Sequence, residues 1–194
     1  MLRRVLNMIK RHSSDQPAEL VLRPALPADA DYFIELYNRE VEERHFARWQ
    51  SSIHPLLFAM AVKEDLIPHH QWPLIRDPKK PHNNKILKAD LFIAESQSMN
   101  IGCIALCEPT PGTYHATAEL WMVIVDPEHH DKGYGGRLLN LALDRLVSET
   151  PDRRIISWCF PASQPMFRML QRRGFQMFKR TADDVRHLER LPKK

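Results

Sequence analysis

Apolar and polar positions change their spacing several times along this chain, and each change marks an element. In "ELVLRPALPADADYFIELYNREVEERHF" a short strand at about residues 20–23 turns through two prolines into a helix from about residue 28. Tyr32 or Phe33, Leu36, Tyr37 and Val41 recur there at helical spacing, and Asp29 and Asp31 fall in the first turn, where the helix dipole favours acid. Residues 51–67, "SSIHPLLFAMAVKEDLI", read as a second helix with Pro55 near its start, where proline is tolerated. The stretch 68–88, "PHHQWPLIRDPKKPHNNKILK", has no period and reads as a long insertion loop.

Two apolar runs follow, "DLFIAES" and "IGCIALCEP", parted by "QSMN" in the manner of a hairpin. A third, "TAELWMVIVDP", completes an antiparallel meander. A helix over about 134–149 carries Leu138, Leu139, Ala142, Leu146 and Val147 on one stripe. "RRIISWCF" then reads as a strand, "SQPMFRMLQRRG" as a short helix capped by Gly174, and "FQMFKRT" as a last strand. The tail over 183–194 reads as polar and peripheral. The order β-α-α-β-β-β-α-β-α-β is that of an α/β or α+β domain with a mixed sheet. At 194 residues the chain suits one domain, 18–182, behind a basic leader, 1–17.

Charge narrows the partners. The formal net charge is +4, with basic and acidic residues interspersed, which suits one anionic ligand better than a nucleic acid. No run of about 18 apolar residues exists, so no transmembrane segment is expected. Cys103, Cys107 and Cys159 sit in strand-like surroundings as buried thiols of a reducing compartment, which points to the cytoplasm. Cys103 and Cys107 lie ~13 Å apart along a strand, too far for one zinc ion, so no metal site is expected. The leader, with Arg3, Arg4, Lys10 and Arg11, fits a disordered basic segment, a surface-lying amphipathic helix, or a mitochondrial transit peptide.

The chemistry concentrates in "VDPEHHDKGYGGRLLNLAL", where a strand becomes a helix through Gly133, Gly135 and Gly136. A helix N-terminus carries unpaired N–H groups and partial positive charge, so it attracts phosphate. The glycines permit positive φ and close approach, and Lys132 and Arg137 add formal charge. Turn geometry alone is the competing explanation. The loop is neither a P-loop nor a dinucleotide fingerprint.

The run "ELWMVIVDPEHHDKGYGGRLLNLALDRL", followed by "FRMLQRRGF", resembles the GNAT superfamily of acyl-CoA-dependent N-acetyltransferases. Val125, Pro127, Glu128, Gly133, Gly135, Gly174 and Phe175 stand in register with the family pattern, and the likeness covers about 19–181. It implies a mixed, mostly antiparallel sheet flanked by helices, with the fourth and fifth strands splayed. It also implies acetyl-CoA as co-substrate, its pyrophosphate in the loop His130, Asp131, Lys132, Gly133, Tyr134, Gly135, Gly136 and Arg137. The backbone of Met122, Val123, Ile124 and Val125 would pair with the pantetheine arm, and an N–H near Val123 or Ile124 would polarise the thioester carbonyl. Two positions depart from the pattern: His130 replaces the usual Arg or Gln, and Leu170 replaces the tyrosine that many members use as acid.

Acyl transfer to an amine in a ternary complex needs proximity and a base, because an alkyl ammonium holds its proton near neutral pH. Glu119 interrupts an apolar strand and is the first choice; Glu108 and His115 follow. Strand alternation puts Glu119 on one face with Trp121 and Val123. With Leu170 unable to donate, Ser163, Tyr134 or water would protonate the leaving thiolate. The acceptor would be an amine on a small molecule, a peptide or a protein. Tyr32, Glu35, Tyr37, Trp72 and Tyr114 are its candidate contacts, with Glu40, Glu42 and Glu43 adding negative charge to the first helix. A non-catalytic acyl-CoA sensor or protein-binding module is the alternative; association with nucleic acid or membrane through the leader is a third. A homodimer is compatible with all of them.

Overall fold

Pro24 and Pro27 end one element and start the next. The computed structural model describes residues 19–46, 71–74, 85–109, 117–149 and 151–192, with backbone alone at 71–74, 85–89 and 107–109. Strand β1 (Val21–Pro24) stops at the first proline; a 3-10 turn (Pro27–Asp29) and helix α1 (Ala30–Glu42) begin at the second, whose fixed φ suits a first helical turn.

Asp29 locks this junction. Its carboxylate accepts hydrogen bonds from Arg23 Nη1 at 2.7 Å, Arg23 Nη2 at 2.9 Å and the Leu26 N–H at 2.7 Å. The Arg23 guanidinium outweighs burial and holds the Asp29 carboxyl below its ordinary range. A carboxyl depressed in this way adds stability above its unfolded pKa and loses it as pH falls through the folded value. Asp29→Asn is therefore expected to cost about 1.5–3 kcal/mol at neutral pH. The deficit should shrink below pH ~4 in a denaturant series across pH. A deficit unchanged from neutral to strongly acid solution would show that the charge contributes nothing.

The remaining elements are β2 (Gln71–Leu74), β3 (Lys85–Ser96), β4 (Met99–Pro109), β5 (Thr117–Val125), α2 (Tyr134–Glu149), β6 (Arg154–Cys159), α3 (Gln164–Gln171), β7 (Gln176–Arg180) and β8 (Arg186–Arg190). The eight-stranded sheet runs β1-β3-β4-β5-β6-β8-β7, with β2 also on β3. All neighbours are antiparallel except β5 and β6.

Two sequence expectations change. Parts of the stretch read as a loop over 68–88 are strand, because β2 pairs with the start of β3 in the register Gln71↔Lys88 to Leu74↔Lys85. Pro73 hides β2 from a strand reading and suits an edge position. The tail read as peripheral supplies β8, which lies between β6 and β7. The predicted helix over 51–67 and the leader over 1–17 lie outside the described residues. Among the described residues no helix is long and apolar enough to cross a membrane.

Helices cover both faces of the sheet. On one, Phe33, Leu36 and Tyr37 of α1 pack on Leu91, Ile93, Cys103, Ala105, Met122 and Ile124. On the other, Leu138, Leu139, Ala142 and Leu146 of α2 pack on Phe92, Ile104, Leu106, Leu120 and Ile155. The 3.6-residue stripe of each helix meets the two-residue alternation of the strands, and one sheet acquires two cores.

Candidate functional site

Strand β5 carries an irregularity that shapes the site. Ala105 pairs with Met122, yet Leu106 pairs with Leu120, so Trp121 is an extra residue in β5. A bulge of this kind reverses the side-chain alternation beyond it. Ala118 and Leu120 face the α2 core before the bulge; Val123 and Val125 face it afterwards, while Met122 and Ile124 enter the α1 core.

The same strand parts from its neighbour. Pairing with β6 runs from Thr117↔Arg154 to Leu120↔Ser157 and stops. At the parting point the buried Ser157 hydroxyl donates to the Leu120 carbonyl at 3.0 Å. Beyond it, β5 stays paired with β4 alone. Asp126 N–H donates to the Ile101 carbonyl on the β4 side at 2.9 Å, and alternation then turns the N–H and C=O groups of Val125 and Val123 towards the gap that β6 has left.

The gap opens onto the loop before α2. Asp126 accepts a hydrogen bond from the Glu128 N–H at 3.1 Å, and His130 Nε2 donates to the Val125 carbonyl at 2.9 Å. Asp131 and Gly133 adopt φ of 58° and 77°. The Arg137 N–H donates to the Gly133 carbonyl at 3.3 Å, so the N–H groups of residues 133–136 precede the helical ladder and have no acceptor within it. Arg173, past the end of α3, fixes this turn by donating to Gly136 O at 2.8 Å, Met169 O at 2.9 Å and Asn140 Oδ1 at 2.7 Å.

A cavity of about 450 Å³ joins these parts. Its floor is Leu120, Trp121, Val123 and Val125 of β5; its phosphate-sized end is formed by His130, Asp131, Gly133, Tyr134, Gly135 and Gly136. Ser157 and Trp158 of β6 and Ser163, Met166 and Met169 around α3 form one wall, and Glu40, Glu43, His45 and Phe46 at the end of α1 form another. Arg44, at φ 62°, turns the chain after α1 so that His45 folds back on Glu40. His45 Nδ1 donates to Glu40 Oε2 at 2.8 Å. Desolvation, the largest influence, raises the Glu40 carboxyl pKa against the lowering effect of His45.

The sequence pattern that defines the acetyltransferase (GNAT) family matches residues 31–175, which hold α1, the splayed strands and the glycine loop. The chain belongs to the GNAT acetyltransferase family. Solved structures share the fold at low identity. The PaiA N-acetyltransferase of Thermoplasma acidophilum, in complex with coenzyme A, is 19% identical with a TM-score of 0.55, over 89% of this chain and 99% of that one. A dodecameric spermidine N-acetyltransferase of Vibrio cholerae is 20% identical with a TM-score of 0.61, over 89% and 94%. The ribosomal L7/L12 α-N-protein acetyltransferase RimL is 14% identical with a TM-score of 0.62, over 90% and 92%. No curated protein sequence matches the chain.

The cavity gathers many of the residues picked out in the sequence. Val123, Val125, His130, Asp131, Gly133, Tyr134, Gly135, Gly136 and Ser163 all line the cavity. Met122 and Ile124 contribute backbone to β5 while their side chains fill the α1 core. Lys132 and Arg137 stand off the cavity: Lys132 Nζ donates to Glu128 O at 2.7 Å, and the Arg137 guanidinium lies 5.4 Å from the Tyr134 ring centroid. Ser163 donates its hydroxyl proton to the His45 carbonyl at 3.2 Å.

Other candidate residues lie elsewhere among the described residues or outside them. The bulge at Trp121 places Glu119 opposite the α2-facing Ala118 and Leu120, so Glu119 and Val123 do not share a face; Glu119 is buried and does not line the cavity. Tyr32 packs against the α1 core, Tyr37 lies within it, and Glu35 pairs with Arg39 at 3.0 Å on the helix exterior; none of the three lines the cavity. The side chain of Trp72, and Tyr114, Glu108 and His115, lie outside what the structure describes. Leu170 is fully buried in the α2 core, where it can donate no proton. His45, Trp121, Ser157 and Trp158 escaped sequence reading. Glu40, named among the acids of the first helix, follows Phe33, Leu36 and Tyr37 on the apolar stripe of α1, an odd place for a carboxylate.

Proposed function

We propose that the protein transfers an acetyl group from acetyl-CoA to a primary amine by direct attack within a ternary complex. The observation that carries this reading is the continuity of the gap between β5 and β6 with the open N–H groups at the start of α2. A diphosphate suits residues 131–136, where the helix N-terminus offers donors and partial positive charge without a side chain on three of the residues. The Val123 and Val125 backbone would hold the amides of the pantetheine arm, and acetyl-CoA, once bound, supplies an activated acyl carbon. An N–H aimed into the gap near Val123 would stabilise charge developing on the thioester oxygen. Water protonates the leaving sulfur, since the Ser163 proton is engaged by His45 O and Tyr134 stands in the loop given to the diphosphate.

The acceptor enters from the α1 side, where Glu40 and Glu43 make the cavity wall acidic. The neighbours act, by name, on spermidine and on a ribosomal protein amino terminus, so the acceptor here is sought among small amines, peptides and proteins. Thermal melts with acetyl-CoA, CoA and ATP provide the test. A ligand at 100 times its Kd stabilises by about 2.7 kcal/mol, which moves the midpoint roughly 2–4 °C per kcal/mol. A rise with both CoA ligands and none with ATP is expected. Equal response to ATP would reduce the loop to a general anion site.

A further inference from the structure

Glu119, the first choice of base, does not line the cavity. We infer that His45 is the general base of the acetyl transfer, held in its working tautomer by Glu40. The inference rests on the acetyltransferase reading above.

Three observations converge on the pair. His45 and Glu40 both line the cavity. The Nδ1–H of His45 is given to Glu40 Oε2 at 2.8 Å, which leaves Nε2 as the nitrogen with a free lone pair in the neutral ring. The ring is also fixed from its backbone: His45 N–H donates to Glu40 O at 2.9 Å, and His45 O accepts from Ser163 Oγ at 3.2 Å. A carboxylate that orients an imidazole and supports its protonated form is a recurring way to make histidine an effective base near neutral pH.

The geometry also explains why the chain tolerates Arg44 in a left-handed conformation, φ 62°. A non-glycine residue there costs stability, and such strain tends to persist where it positions functional groups. Without that turn His45 would continue away from α1 and its Nδ1 would not reach Glu40. Burial favours the neutral form of Glu40, while the facing His45 favours the carboxylate. The ionisable surroundings are Glu43, whose Oε2 is 3.7 Å from His45 Nδ1, His130 of the glycine loop, and the Cys103 thiol on β4.

The protons balance as follows. His45 Nε2 removes one proton from the incoming ammonium and passes it to solvent. The freed lone pair forms a C–N bond to the thioester carbonyl carbon. The base then draws a second proton from that nitrogen as the C–S bond breaks with its electron pair going to sulfur. That proton ends on the sulfur as a thiol, and the third stays on the amide.

The test compares wild type, His45→Gln and Glu40→Gln, measuring thiol release with acetyl-CoA and a panel of primary amines from spermidine to peptides with a free amino terminus, across pH. Acetyl-CoA binding is measured beside it by calorimetry. His45→Gln is expected to lower kcat/KM by roughly 10²–10⁴-fold and to erase the acid limb of the profile, with acetyl-CoA affinity unchanged. Glu40→Gln should lower kcat with acetyl-CoA affinity unchanged, because a neutral amide is a weaker acceptor for the Nδ1–H that fixes the ring; loss of structure alone would weaken binding as well. A wild-type protein that releases no thiol with any amine would remove the function and the base together. A working wild type whose His45→Gln variant keeps its rate and profile would overturn the base alone.

Discussion

Gly102→Ala is expected to destabilise the protein by about 3 kcal/mol or more, enough to remove much of the margin of an ordinary domain. A Cβ at this position would stand 2.1 Å from the Ile124 carbonyl oxygen and 2.9 Å from Val125 Cα. Both obstacles are backbone, so no rotamer change relieves them; β4 would have to move away from β5 where the latter lines the cavity floor. Gly135→Ala provides the contrast. There a Cβ would meet Met169 Cε at 3.6 Å, Val125 Cγ2 at 3.8 Å and Met169 Sδ at 4.0 Å, all ordinary contacts. Alanine is also a better helix former by roughly 0.5–1 kcal/mol, so the melting temperature should hold or rise slightly. Denaturant midpoints for the two variants check the pair: a Gly102→Ala midpoint equal to wild type would mean that β4 and β5 are not pressed together as the structure has them.

Gly133→Val should separate binding from folding. The glycine sits at φ 77° with open space where a side chain would stand, and it lines the cavity. Folding should lose only about 1–2 kcal/mol, the steric cost of a left-handed residue. Acetyl-CoA affinity should fall by roughly tenfold or more, equivalent to about 1.4 kcal/mol per decade, because the new side chain occupies the place proposed for the pyrophosphate. Calorimetry on the folded variant gives the answer. Undiminished affinity would assign the diphosphate elsewhere and leave Gly133 a role in the turn alone.

The parts of the fold that were legible in the sequence are those where one physical signal acts alone. Helix α2 keeps an uninterrupted apolar stripe, and its predicted bounds of 134–149 coincide with Tyr134–Glu149. The meander of β3, β4 and β5 has clear turn signals. Strand β8 was hidden because "RHLER" has one apolar residue, Leu188, which is fully buried. Its other side chains are absorbed by β6: Glu189 pairs with Arg154, and the His187 ring stacks on Trp158 at 4.6 Å between centroids. Such partners are remote in sequence, and no local period reports them.

The site divides in the same way. Gly133 and its neighbours form a local signature, since the loop needs unusual backbone and the sequence must supply it. Strand alternation set Glu119 on one face with Val123, and the extra residue Trp121 interrupts that alternation. The pairing of His45 with Glu40 depends on the single turn at Arg44, a conformation that arginine does not advertise. Glu40 alone left a trace, as the carboxylate on an apolar stripe.

The position of β8 also bears on how the protein is made. β7 pairs with β8, and β8 with β6, so β7 waits beside an incomplete sheet until residues 186–190 leave the ribosome. Chains fold from their N-terminus as they emerge, and a chain stopped at Thr181 would carry β6 with a bare edge and β7 with nothing to dock on. Early termination in this gene product would therefore yield an aggregation-prone fragment, even though every residue lining the cavity had already been synthesised.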